Sequence, residues 1–205
     1  MEIFITLVIL IFSAIVHEVS HGLMAEKLGD STARDEGRIT LNPIPHIDPF
    51  GSILLPALLL FLHSPIVFGA AKPVPVDFNN LKPRKLGMAL VSLAGPLSNF
   101  ILAAVFLLIL KFGSPLHIIN EISGPILTTA ALINVVLGTF NLLPIPPLDG
   151  SKIVASFLPD KLMYWILSME QYGFFLVIIF LMLGILEKIL VPVVTLFFSL
   201  FGISI

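Results

Sequence analysis

Long apolar runs separated by short polar segments outline this chain. The charge-poor stretches are 3–25, 50–71, 86–110, 122–143, 173–186 and 189–205. At about 1.5 Å of rise per residue, each of the longer runs crosses roughly 30 Å of hydrocarbon as a helix. The last two flank Glu187 and Lys188 and are short, so 173–205 fits either two tilted spans or one span plus an interfacial helix. Between the first two runs, Arg38–Leu41 alternates amid Gly, Asn and Pro, which predicts a short strand or hairpin. Residues 151–171 read as amphipathic, with Tyr164, Trp165 and Tyr172 suited to the headgroup level. The pattern predicts an all-α polytopic membrane protein of about five to six transmembrane segments, with one short β element.

Composition strengthens that picture. The chain of 205 residues is 57% hydrophobic and 12% charged, about half the charged share of a soluble domain. Its mean hydropathy is +1.06, so the lipid bilayer is its expected medium. A net charge of -2 offers nothing to a nucleic acid, and the absence of cysteine excludes disulfides and thiolate chemistry. Only Met1 and Glu2 precede the first apolar run, and no small-residue cleavage site follows it. That run is therefore expected to stay in the mature protein rather than leave as a signal peptide.

Against this background "HEVSH" (17–21) stands out. On a helix His17 and His21, at i and i+4, share one face, and two imidazoles so spaced can hold one Zn²⁺. Glu18, one step round, can act as general base towards a water activated by zinc. In a soluble protein the pattern is often an ordinary surface helix. Inside an apolar span, ionisable groups usually face a cavity or one another and mark function.

Two histidines leave a catalytic zinc site short of a third protein ligand. "FNLLPIPPLDG" (140–150) ends a charge-free run at Asp149, and Pro144, Pro146 and Pro147 forbid a regular helix there. Asp149 is either that ligand or a turn residue of an Asp-Gly pair. The two motifs together resemble the site-2 protease family of intramembrane zinc metalloproteases. "GRITLNPIPHIDPFGSILLP" (37–56), "FGAAKPVPV" (68–76) and "AGPLSN" (94–99) extend the likeness over about residues 14–152.

The resemblance implies one zinc held by His17, His21 and Asp149, with Glu18 as the base. It also implies that Asn141 positions substrate or stabilises the oxyanion; the alternative for Asn141 is a buried hydrogen bond between helices. The implied activity is hydrolysis of a peptide bond in or near the transmembrane helix of another membrane protein. The rival is a non-proteolytic metal-binding scaffold or a metal transporter. An intact Glu18 argues for catalysis, since a scaffold needs ligands but no base. The expected organisation is one membrane domain over 1–205, with a catalytic core at about 3–152 and C-terminal hydrophobic segments at 153–205. These residues hold none of the PDZ or paired nucleotide-sensing domains that many family members carry. Regulation is therefore expected to act through the core or a separate partner.

Topology follows from the motifs. Each lies at the C-terminal end of its apolar run, so one shared zinc requires the two helices to run in the same direction. The chain must then cross an odd number of times between them. The stretch 50–71, split by Pro56 and by His63-Ser64-Pro65, is the candidate for a re-entrant segment. Lys27, Arg34, Arg38, Lys72, Lys82, Arg84, Lys85, Lys152 and Lys161 then share one side, which the positive-inside rule makes cytoplasmic. The expected location is a prokaryotic cell membrane, with the active site opening towards the cytoplasm. Of the remaining polar residues, His46 and Asp48 are expected to shape a turn rather than gate the site or bind a second metal. His63 and His117 are expected in loops. Asn99 and Asn134 are expected to bond between helices, and Gly95-Pro96 to break or kink the middle span.

Overall fold

A computed structural model describes residues 2–48, 61, 72–113 and 119–204. Among them every regular element is helical. Helix α1 is Glu2–Lys27, α2 Thr32–Asp35, α3 Arg84–Gly113, α4 Ser123–Asn141, α5 Asp149–Ser156, α6 Asp160–Ser168, α7 Gly173–Met182 and α8 Ile185–Leu200. Single-turn 3₁₀ segments lie at Ile44–His46 and Met169–Tyr172.

Helices α1, α3 and α4 are long and apolar enough to cross a membrane. Residues Asp160–Tyr172 and Phe175–Met182, bent by 76°, could together make a fourth span. Among the described residues that gives three or four spans; the five to six expected also counted 50–71. In the C-terminal run the break falls at Gly184, whose φ of +65° ends α7 in the left-handed region that glycine adopts freely. Helix α8, with 16 residues, reaches about 24 Å and falls short of the hydrocarbon thickness. The expected re-entrant stretch 50–71 lies almost wholly outside the described residues, as do His63 and His117.

Helix α3 sits between α1 and α4 and packs on both. Small side chains allow the approach: a Cβ on Gly138 of α4 would press on the Pro96 carbonyl and the Phe100 ring of α3. Ala103, Leu107 and Leu110 of α3 interlock with Ala131 and Val135 of α4, and Val194 and Phe198 of α8 close this core. Pro96 lies inside α3, and the helix runs on through it rather than breaking. A proline removes one i to i−4 bond, which the turns on either side can bridge.

Hydrogen bonds fix the directions. Asn99 reaches Ser13 and His17 while the Val91 carbonyl meets His21, so α3 runs antiparallel to α1. Asn134 bonds Asn99 while Gly138 lies against Pro96, so α4 runs antiparallel to α3 and parallel to α1. The exit of α1 and the entry of α3 are tied together, with Lys82 N–H donating to the Leu28 carbonyl and Asn80 to Asp30. Lys72 N–H donates to the His46 carbonyl at 2.8 Å, so residues 46 and 72 meet as well.

The strand expected at Arg38–Leu41 is absent, and the described residues hold no strand at all. An extended segment needs a neighbour with which to exchange backbone bonds. Side chains do that work here. The buried Arg38 guanidinium donates to the Lys72 and Pro73 carbonyls, and the buried His46 donates through Nε2 to the Thr40 carbonyl. His46 thus shapes its loop, as expected.

Candidate metal centre and active-site cleft

The last three turns of α1 present His17 and His21 inward, both buried, with ring centroids 4.7 Å apart. Their i and i+4 spacing places the rings one above the other on the face that packs against α3. After α4 ends at Asn141, the proline-rich turn 142–148 brings Asp149 to the start of α5. Leu143, Ile145 and Leu148 anchor that turn against Leu186 of α8. Gly150 permits it, since a Cβ there would collide with the Leu142 and Leu143 carbonyls.

Asp149 Oδ2 lies 3.1 Å from His17 Nε2 and 3.2 Å from His21 Nε2. One ligand atom from each of the three residues falls within 4.8 Å of the others. His17 Nδ1 donates to Asn99 Oδ1 at 2.6 Å and His21 Nδ1 to the Val91 carbonyl at 2.7 Å. A neutral imidazole that donates through Nδ1 keeps a lone pair on Nε2. Two nitrogen lone pairs and a carboxylate therefore converge at one buried point with no proton to share among them. With both rings neutral, a bound metal cation is what relieves that arrangement; a second proton on either ring is the other way to do so. A tetrahedral zinc with bonds of about 2.0–2.1 Å spaces its ligand atoms about 3.3 Å apart, close to the two contacts seen. The neighbouring backbone fits too: a Cβ on Gly95 of α3 would collide with Nε2 of both histidines. Gly95, singled out in the sequence as a helix breaker, instead leaves room beside the ligand atoms.

The same residues line a cleft of about 480 Å³. Glu18 and Asn141 open onto it, with Val74, Val76, Phe78 and Leu148 as apolar wall and Lys152 and Glu170 among its charged residues. Glu18 Oε2 accepts the Val74 N–H at 2.7 Å. Prolines at 73 and 75 lack N–H groups, so Val74 supplies the one backbone donor between Lys72 and Val76. Its motif "KPVPV" hints at this, but nothing in the sequence links residue 74 to residue 18. Asn141 donates one amide hydrogen to the Leu137 carbonyl of its own helix, not to another helix. An amide nitrogen carries two hydrogens, so one remains for the cleft. The hydroxyl of Ser92, buried in the cleft wall, has no partner among the described residues. No sequence signal marked it.

Known proteins similar to this chain are named as zinc metalloproteases. Residues 111–185 match the profile described as Peptidase family M50. The Bacillus subtilis protein named "Putative zinc metalloprotease YwhC" is 41% identical over 179 residues, covering 85% of this chain and 77% of the relative. The chain belongs to peptidase family M50. "Putative zinc metalloprotease Rip2" of Mycolicibacterium smegmatis is 30% identical over 95% of this chain and 73% of its own. "Zinc metalloprotease MJ0392" of Methanocaldococcus jannaschii is 33% identical over 58% of this chain and 34% of its own. No solved structure matches the chain significantly. The M50 assignment makes the protein a zinc metalloendopeptidase of the site-2 type, embedded in a membrane through its apolar helices. The scaffold and transporter readings fall with it.

Proposed function

We propose that this M50 peptidase cuts a peptide bond in or beside the transmembrane helix of another membrane protein, using a zinc held by His17, His21 and Asp149. The observation that carries the reading is the convergence of three lone-pair groups at one buried point, in a cleft shared with Glu18 and Asn141. His17 and His21 sit on a helix apolar enough to cross a membrane, and Asp149 lies just past the end of another, which supports a substrate that lies in lipid too. When bound, zinc supplies Lewis acidity towards water and the scissile carbonyl. Glu18 takes the proton from the attacking water and passes it to the leaving amine. The Val74 N–H holds one oxygen of Glu18, which keeps the carboxylate on the cleft side of α1. Asn141 donates its spare amide hydrogen to the oxygen on which negative charge develops. The apolar wall formed by Val74, Val76 and Phe78 suits an unwound hydrophobic segment.

The basic residues support an orientation with the cleft towards the cytoplasm. Lys82, Arg84 and Lys85 lie at the end of α3 that meets the exit of α1, and Lys85 pairs with Asp160 at 2.7 Å. The relatives come from prokaryotes, which supports a prokaryotic cell membrane. We assign 1–205 to one domain, since α8 packs into the core made by α3 and α4.

Two experiments test the proposal. Glu18→Gln should keep its zinc and lose cleavage by about 10²-fold or more. The membrane proteome of cells carrying it should accumulate an uncut membrane protein; accumulation of soluble substrates alone would overturn the intramembrane reading. The chain holds no cysteine, so single cysteines report topology without background. Cysteines at Ser31 and Asn79 should be labelled from the cytoplasm, and one at Asn120 from the other side. Labelling of 31 and 79 from opposite faces would sink both the orientation and the proposed re-entrant course of 50–71.

A further inference from the structure

His17 Nδ1 meets Asn99, and Asn99 does not stand alone. Its Nδ2 donates to Asn134 Oδ1 at 2.9 Å and to the Ser13 backbone carbonyl at 3.3 Å. Asn134 Nδ2 in turn donates to Ser13 Oγ and to the Ala130 carbonyl, each at 2.9 Å. Both asparagines are fully buried, and Ser13 is nearly so. The chain of bonds joins α1, α3 and α4.

Its direction is forced. A backbone carbonyl only accepts, so the group of Asn134 facing Ala130 must be the NH₂. Asn134 Oδ1 then faces Asn99, and Asn99 must turn its own NH₂ towards Asn134 and the Ser13 carbonyl. That leaves Asn99 Oδ1 facing His17, where it can only accept. His17 must therefore carry its proton on Nδ1 and present a bare Nε2 to the metal position. His21 reaches the same state in one step, through the Val91 carbonyl. A carbonyl in a helix cannot rotate, whereas an asparagine amide can. The Ser13 carbonyl and the second asparagine together supply that constraint.

We infer that Asn99 and Asn134 are positioning residues that set the tautomer of His17, with the Ser13 and Ala130 carbonyls as the fixed ends of the relay. The inference rests on His17 being a zinc ligand. Groups that hold a ligating histidine through its second nitrogen typically tune metal affinity by about 10–100-fold.

The test compares zinc affinity, by chelator competition on the full chain in detergent, across variants with native helix content and elution. Asn99→Leu removes the acceptor and should weaken zinc binding by about 10–100-fold. Asn99→Asp keeps an acceptor for His17 but loses both donated bonds. It should hold zinc within a few-fold of the native chain while melting at lower temperature. Asn134→Leu should weaken zinc by several-fold, and Asn134→Asp, which still accepts from Asn99, should recover most of that loss. A packing role alone predicts that zinc affinity follows thermal stability in all four. Equal zinc loss in Asn99→Asp and Asn99→Leu, or native affinity in Asn99→Leu, would overturn the inference. His17→Ala separates the two levels. If it leaves zinc binding intact, the ligand assignment fails; if it abolishes binding while Asn99→Leu does not, only the relay fails. Should the Asn99 variants not fold, the Asn134 pair decides alone, and nitrogen NMR of the histidine ring reads the tautomer directly.

Discussion

Asp30 and Asp149 are both buried, and each follows the end of a long apolar helix. Their surroundings are opposite. Asp30 faces donors: the Thr32 N–H at 3.3 Å, the Thr32 hydroxyl at 2.5 Å, the Asn80 amide at 3.0 Å and the Asp77 N–H at 2.9 Å. Burial by itself would raise its pKa, but the bonds from Thr32, Asn80 and Asp77 outweigh that and hold the carboxyl below its ordinary 3.8. Asp30 is a brace that ties the exit of α1 to the entry of α3. Asp149 faces the Nε2 atoms of two imidazoles whose protons are held elsewhere. A buried carboxylate satisfied by donors does structural work, whereas one set among acceptors awaits a cation.

The sharpest way to break that contrast is Asp149→Asn. It removes the charge while keeping the shape, so zinc should drop to a trace and peptidase activity by about 10³-fold or more, with a melting temperature close to that of the zinc-stripped native chain. Metal analysis of the purified variant decides it, and a full zinc content would put Asp149 in the same class as Asp30. Gly95→Ala attacks the same point from α3. Its methyl would press on both Nε2 atoms, so zinc affinity should fall by an order of magnitude or more. Overpacking should also cost about 1–3 kcal/mol of stability, read by thermal unfolding in detergent.

Asp30→Asn should give the complementary result, with smaller reach. One amide hydrogen must then face an existing donor, and stability should fall by about 1–3 kcal/mol, while zinc content and activity per folded molecule stay within a few-fold. The pH dependence carries the same sign. A carboxylate with a lowered folded pKa stabilises fully above its unfolded value and loses that contribution as pH falls through the folded one. The native chain should therefore lose stability below about pH 4, and Asp30→Asn should lose less over the same range. Equal slopes in thermal melts across that window would remove Asp30 as the acid-sensitive brace.

Much of this was legible in the primary structure. Runs free of charge must be helical in lipid, because backbone groups there find no water, and α1, α3 and α4 sit where such runs lie. The i and i+4 spacing of His17 and His21 is local, so a helix alone suffices to set the two rings on one face. Prolines 144, 146 and 147 cannot continue a helix, and α4 ends at Asn141. The alternation at Arg38–Leu41 misled because a strand is a property of a pair, and side-chain bonds from Arg38 and His46 took the partner's place.

Tertiary structure alone decided the rest. Asp149 meets His17 across 132 positions of chain, and no periodicity encodes a contact of that separation. The same holds for Val74 on Glu18, for the space that Gly95 leaves beside the ligand atoms, and for the tautomers set by Asn99 and Val91. A helical face is fixed by torsion angles within a few residues. A metal centre and the protons around it are fixed by where three helices press together, which depends on every side chain between them.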